Sequence, residues 1–125
     1  MRSANKAFEL PVENDLFKQL RAAGVIPRPI AENVETEVAW FAVGPARFAT
    51  HPGESAPAYT WATESLMDTA PKIVLGLGLD QLGYILKTDF FDDTANIPHA
   101  DYLVKMSLRT DTKPLMMAAL ESIIP

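Results

Sequence analysis

The chain has 125 residues, 48% hydrophobic and 22% charged, with a net charge of −5 at pH 7, a length and composition that suit one folded domain with its own core. The acidic balance argues against a nucleic-acid or anionic-membrane surface, since both need clustered Lys and Arg. With no cysteine in the chain, disulfides and thiolate metal sites are excluded.

Residues 1–10 carry little pattern and are expected to be flexible. Across residues 12–23, Val12, Leu16, Phe17, Leu20 and Ala23 fall at amphipathic helical spacing. Asn14 or Asp15 can cap its start, Gly24 suits a left-handed C-terminal position, and Pro27 and Pro29 forbid continuation. Residues 35–43 are rich in β-branched and aromatic side chains and read as a strand. Gly44-Pro45 makes a turn, and residues 46–50 form the returning strand of a hairpin. Pro52-Gly53 breaks the strand. Ser55 followed by Pro57 suggests an N-cap and a first-turn proline for a helix reaching about Asp68, burying Tyr59, Ala62, Leu66 and Met67.

Pro71 closes that helix. Residues 72–79 form a continuous apolar run, as expected of a strand covered on both faces. Residues 87–100 are polar and read as a loop. Residues 102–108 fit a short strand or a helix start equally well. Residues 112–123, with Pro114 in the first turn, read as a final helix with Leu115, Ala119, Leu120 and Ile123 on one face. The expected fold is a single α/β (α+β) domain over residues 1–125, a mixed β-sheet with helices packed on it. No apolar run approaches the ~20 residues that span a bilayer. Residues 1–6 lack the apolar stretch of a signal peptide, and the sequence assigns no compartment.

Several familiar motifs fail on spacing. Gly76-x-Gly78 lacks the third glycine of a dinucleotide loop, because position 81 is Gln and Gly83 is out of phase. The acidic stretch around Asp89, Asp92 and Asp93 lacks the alternation and terminal Glu of a calcium loop. His51 and His99 each adjoin a proline, fit no zinc-binding spacing and read as loop residues. No Gly-x-Ser-x-Gly elbow occurs, so a serine hydrolase is not signalled.

Two short motifs remain: Pro52-Gly53-Glu54, and Gly76-Leu77 through Asp80 to Gly83-Tyr84-Ile85. Each follows an apolar, strand-like run. Glu54 can complement a helix dipole, or serve as a metal ligand or general base on a strand end. Tyr84 can be an ordinary half-buried sheet residue, or a second oxygen donor beside Glu54. Gly83 hints at a close backbone approach.

Taken with Tyr102 and Ala118-Ala119-Leu120, these motifs make residues 44–123 resemble the C-terminal part of the catalytic domain of the neutral/alkaline (non-lysosomal) ceramidase family. The resemblance implies zinc as cofactor, an N-acyl lipid as substrate, and Glu54 and Tyr84 as two metal ligands. The family's two histidine ligands lie in upstream motifs that this chain lacks, and neither His51 nor His99 stands in their place. Leu79 replaces the family's usual Asn, and Tyr102-Leu103 its usual Tyr-Glu. The expectation is therefore an incomplete zinc site. It fits a fragment, or a free-standing relative, of a ceramidase-like amidohydrolase that is not catalytic alone and partners a missing N-terminal half. The alternatives are a small non-catalytic binding or interaction module, which as a homo-oligomer would be joined through Trp40, Phe41 and Phe48, and an unrelated α/β domain.

Overall fold

A computed structural model describes residues 2–108 and 112–125. Its centre is a four-stranded mixed sheet in the order β1-β2-β3-β5. Strands β1 (Arg2–Pro11), β2 (Asn33–Val43) and β3 (Ala46–Thr50) run antiparallel, and β5 (Lys72–Leu75) lies parallel to β3. The expected hairpin is present: Val43 pairs with Ala46 across Gly44-Pro45, and Gly44 has φ +57°. Helix α2 (Pro57–Leu66) lies in the crossover from β3 to β5, the connection that parallel neighbours require.

Strand β2 shows why the sheet has an inside. Val34, Thr36, Val38, Trp40 and Ala42 are buried, while the residues between them are more open, the two-residue alternation of a sheet covered on one face. Trp40 thus faces the core, whereas Phe41 stacks on Phe48 on the other face with ring centroids 4.7 Å apart. The three aromatic residues therefore do not form one surface.

Two clusters fill the interior. Val38, Ala49, Tyr59, Met67, Ile85, Met116 and Leu120 join the sheet to α2 and to helix α5 (Thr112–Glu121). Leu10, Val12, Phe17, Val34, Leu82 and Leu108 form a second cluster under helix α1 (Asp15–Ala22). As expected, Asn14 caps α1, its side chain accepting from the Leu16 N–H, and Gly24 follows at φ +74°.

Several expectations need correction. Residues 2–10 are not loose but belong to β1, which pairs with β2 along its whole length; Met1 lies outside the described residues. The weak pattern arises because β1 is an edge strand in which Leu10 alone is buried and Ala4, Phe8 and Pro11 are half-buried. Helix α1 starts three residues after Val12, which instead joins the second cluster. The apolar run 72–79 is strand only as far as Leu75; beyond it Leu77 and Leu79 adopt positive φ (56° and 71°) and are exposed. Ser55 does not cap α2. Ala56 occupies that position without a side-chain bond, Pro57 opens the helix, and Thr63 rather than Ala62 is fully buried. Residues 87–100 contain the short helix α3 (Asp89–Asp92), and helix α4 (Ala100–Lys105) follows, so residues 102–105 are helix while Ser107 makes a β-bridge to Tyr84. Helix α5 buries Met116 with Ala119 and Leu120, leaving Leu115 exposed.

Candidate functional site

The two motifs singled out in the sequence meet. Strand β4 (Glu54–Ser55) pairs in parallel with β6 (Tyr84–Ile85), with Glu54 opposite Tyr84 and Ser55 opposite Ile85. Backbone bonds join the two loops along their length. His51 N–H donates to the Leu75 carbonyl at 2.9 Å, Gly78 N–H to His51 at 3.0 Å, and Leu82 N–H to Pro52 at 2.9 Å. Glu54 N–H then donates to the Gly83 carbonyl at 2.9 Å, and Ala56 N–H to the Ile85 carbonyl at 2.9 Å. On its other side Tyr84 donates its N–H to the Met106 carbonyl at 3.0 Å and bridges to Ser107.

Glycine is required twice in this arrangement. A methyl group on Gly53 would collide with the Gly83 carbonyl oxygen, and one on Gly83 would collide with the Met106 carbonyl oxygen. Gly83 also has φ +81°, a conformation that disfavours any side chain. The close approach suggested by Gly83 is therefore a backbone-to-backbone contact, and it is what brings Tyr84 alongside Glu54.

The side chains form a small oxygen-rich patch. Glu54 is exposed, and Tyr84 is half-buried beside it. The Tyr102 ring lies edge-on to Tyr84, with centroids 6.2 Å apart, the geometry aromatic pairs favour. The Glu54 charge, with smaller contributions from burial, from the charge of Tyr102 and from a hydrogen bond with Tyr102, pushes the Tyr84 phenol above its ordinary range. A neutral phenol and a carboxylate thus stand side by side, and a cation between them would relieve the strain on the phenolate form.

Does this patch suit zinc? Carboxylate and phenol oxygens are hard donors, and zinc takes carboxylate oxygen together with imidazole nitrogen. A catalytic site of that kind uses three protein ligands and an open position. Among the described residues no group of three His, Cys, Asp or Glu is placed to hold a metal. Glu54 and Tyr84 by themselves offer two oxygen donors, one fewer than the three protein ligands of such a site.

His51 is not the loop histidine that its flanking proline suggests. It is fully buried, with Nδ1 2.6 Å from Ser55 Oγ and Nε2 2.8 Å from Thr63 Oγ1. Thr63 Oγ1 in turn donates to Met117 Sδ at 3.8 Å. That pattern assigns the ring proton to Nε2 and makes Nδ1 the acceptor of the Ser55 hydroxyl. Burial pushes the imidazole pKa down to about 4. The ring is an internal strut, tying Ser55, the residue after Glu54, to helix α2. His99 is exposed at φ +62° just before α4.

Asp80 is a second residue whose role spacing did not reveal. Arg28 Nη1 donates to its Oδ1, Thr36 Oγ1 to its Oδ2 at 2.7 Å, and the Gln81 N–H to Oδ1 at 2.7 Å. Burial raises the carboxyl pKa, but these hydrogen bonds and the Arg28 charge outweigh it and hold the group below its usual range. Asp80 thereby pins the loop between β5 and β6 to β2. The partners Arg28 and Thr36 lie 52 and 44 residues away, so no local signal announces them.

Comparison with known protein families, with characterised proteins and with solved structures finds no match to this chain.

Proposed function

We propose that this chain carries half of a ceramidase-type zinc centre, with Glu54 and Tyr84 as two of its ligands. The histidine ligands would come from a missing N-terminal half, and this chain would not be catalytic alone. What supports the reading is the register that sets Glu54 directly opposite Tyr84, thirty positions apart in a chain whose motifs resemble that family. Zinc bound there would supply an activated water for cleaving the amide of an N-acyl lipid. The chain's own contribution is to hold two oxygen donors on paired strand ends. It also keeps the phenol proton in place, through the neighbouring carboxylate, until a cation arrives.

Calorimetric zinc titration of the purified chain at pH 7.5 tests the proposal, run in buffers of different ionisation enthalpy to count released protons. Loss of an outer-shell partner alone costs roughly 10–100-fold in metal affinity, so Glu54→Gln and Tyr84→Phe should each weaken binding by at least about tenfold. Proton release should also disappear in Tyr84→Phe. Equal zinc affinity in all three proteins would refute the assignment.

A second reading, a non-catalytic module that self-associates, draws on a separate observation. Leu77 and Leu79 stand exposed at positive φ, and such a conformation costs a leucine about 1–2 kcal/mol. A shared surface would explain why apolar side chains occupy it. Sedimentation velocity of wild type and Leu77→Asn/Leu79→Asn separates the cases: self-association lost in the double variant supports this reading, and a monomer at all concentrations removes it.

A further inference from the structure

A hollow of about 290 Å³ opens beside Gly83, on the side of the molecule built by α1 and the second cluster. Its floor is Phe17, Val34, Leu82 and Leu108, all buried, and its walls include Leu20 and Ile26, both half-buried. The polar side chains at its edge are Arg28 and Gln81, both of which reach solvent. Arg28 uses Nη1 on Asp80 and Nη2 on the Glu35 carbonyl, which leaves further N–H donors on the guanidinium.

Water is poorly suited to this space. An ordered water needs two to four polar partners, and the only polar side chains on this lining are Arg28 and Gln81 at its edge, so apolar groups suit it better than ordered water. A helix from a partner, about 10 Å wide with its side chains, is too thick for it. At roughly 30 Å³ for each water-sized group, a volume of about 290 Å³ holds about ten methylenes. At the mouth the Arg28 charge is cancelled by Asp80, so neither an anion nor a cation is favoured. An uncharged head that accepts a hydrogen bond from the spare Arg28 donors suits it best.

We infer that this hollow is a binding site for a single aliphatic chain of about ten carbons bearing an uncharged polar head. The inference goes beyond the metal reading and uses neither zinc nor hydrolysis. Its test is calorimetric titration of the purified full chain with 1-alkanols from six to twelve carbons. Affinity should rise about fourfold for each added methylene and level off near ten carbons. Decanoate and decyltrimethylammonium should bind more weakly than 1-decanol. In methyl NMR spectra of the unmodified chain, the alkanol should shift Leu20, Ile26 and Leu82 and leave Leu115, on α5, unmoved. Ile26→Trp, which fills the hollow, should abolish binding. The absence of saturable binding, or NMR shifts confined to residues outside the hollow, would overturn the site. Tighter binding of either charged head would overturn the assignment of the ligand class.

Discussion

The buried imidazole of His51 should make the fold sensitive to mild acid. In the unfolded chain this ring takes up a proton near pH 6.5, whereas in the folded chain it does so only at about pH 4. Between those values the unfolded state holds more protons, so stability rises with pH across the window and is lost as pH falls through it. At about 1.4 kcal/mol for each pH unit, the His51 contribution lost between pH 6.5 and 4 is about 3 kcal/mol. A domain of this size has about 5–15 kcal/mol in total, so the loss is large. The structural cause is burial: the ring is fully enclosed, its two nitrogens are committed to hydroxyls, and among the described residues no carboxylate is hydrogen-bonded to it. Urea unfolding followed by circular dichroism at half-unit steps from pH 7.5 to 4 should show the decline, and His51→Gln should flatten it between pH 6.5 and 5. Proton NMR of the unmodified chain supplies a check free of mutation, with His99→Gln assigning the two imidazole signals. A His51 ring that titrates near 6.5, or a stability slope unchanged by His51→Gln, would refute the reasoning.

Three further outcomes follow from the same geometry. Gly83→Ala should destabilise the chain by at least about 3 kcal/mol or abolish folding, because backbone strain adds to a collision with the Met106 carbonyl. Gly24→Ala, at similar φ but with open space around it, should cost only about 1 kcal/mol, and thermal unfolding of the pair separates strain from collision. Asp80→Asn should cost about 2 kcal/mol, because it weakens three hydrogen bonds and leaves Arg28 without its counter-charge; urea midpoints measure this, and a neutral result would show that the loop is held otherwise. Glu54→Gln should bring the Tyr84 phenol down towards its ordinary range, since the Glu54 charge is the main cause of its elevation. Ultraviolet titration at alkaline pH, with Tyr84→Phe as the subtraction blank, reads this directly, and an unmoved midpoint would mean the two groups do not interact.

The sequence displayed those elements whose signals are local. The Asn14 cap, the Gly24 stop and the Gly44-Pro45 hairpin all act within a few residues, and each has its expected place in the fold. Strand β1 was hidden because an edge strand carries few inward side chains, and its order comes from pairing with a partner about thirty residues away. The run 72–79 misled for the opposite reason. Its leucines look like a buried strand, yet the chain turns at Gly76 and all three of them, Leu75, Leu77 and Leu79, are exposed. Ser55 has the composition and position of an N-cap, but a buried imidazole four residues earlier captures its hydroxyl.

The candidate site was legible in the same uneven way. Glu54 and Tyr84 stand out because Pro-Gly and Gly mark the backbone around them, and backbone restriction is visible in a sequence. Their adjacency is a register fact, set by bonds that join residues 51–54 to residues 75–83. The supports around them were invisible: His51 acts through Ser55 and Thr63, and Asp80 through Arg28 and Thr36, all of them ordinary residues until the fold gathers them. This division has a physical consequence for the site. The two oxygen donors sit on a two-residue strand pair, which has little stability of its own. Their spacing is therefore set by the struts on either side, the imidazole under β4 and the carboxylate anchoring the loop before β6. A substitution at either strut should loosen the Glu54–Tyr84 pair without touching it, and a return of the Tyr84 titration towards normal in His51→Gln or Asp80→Asn would be the sign.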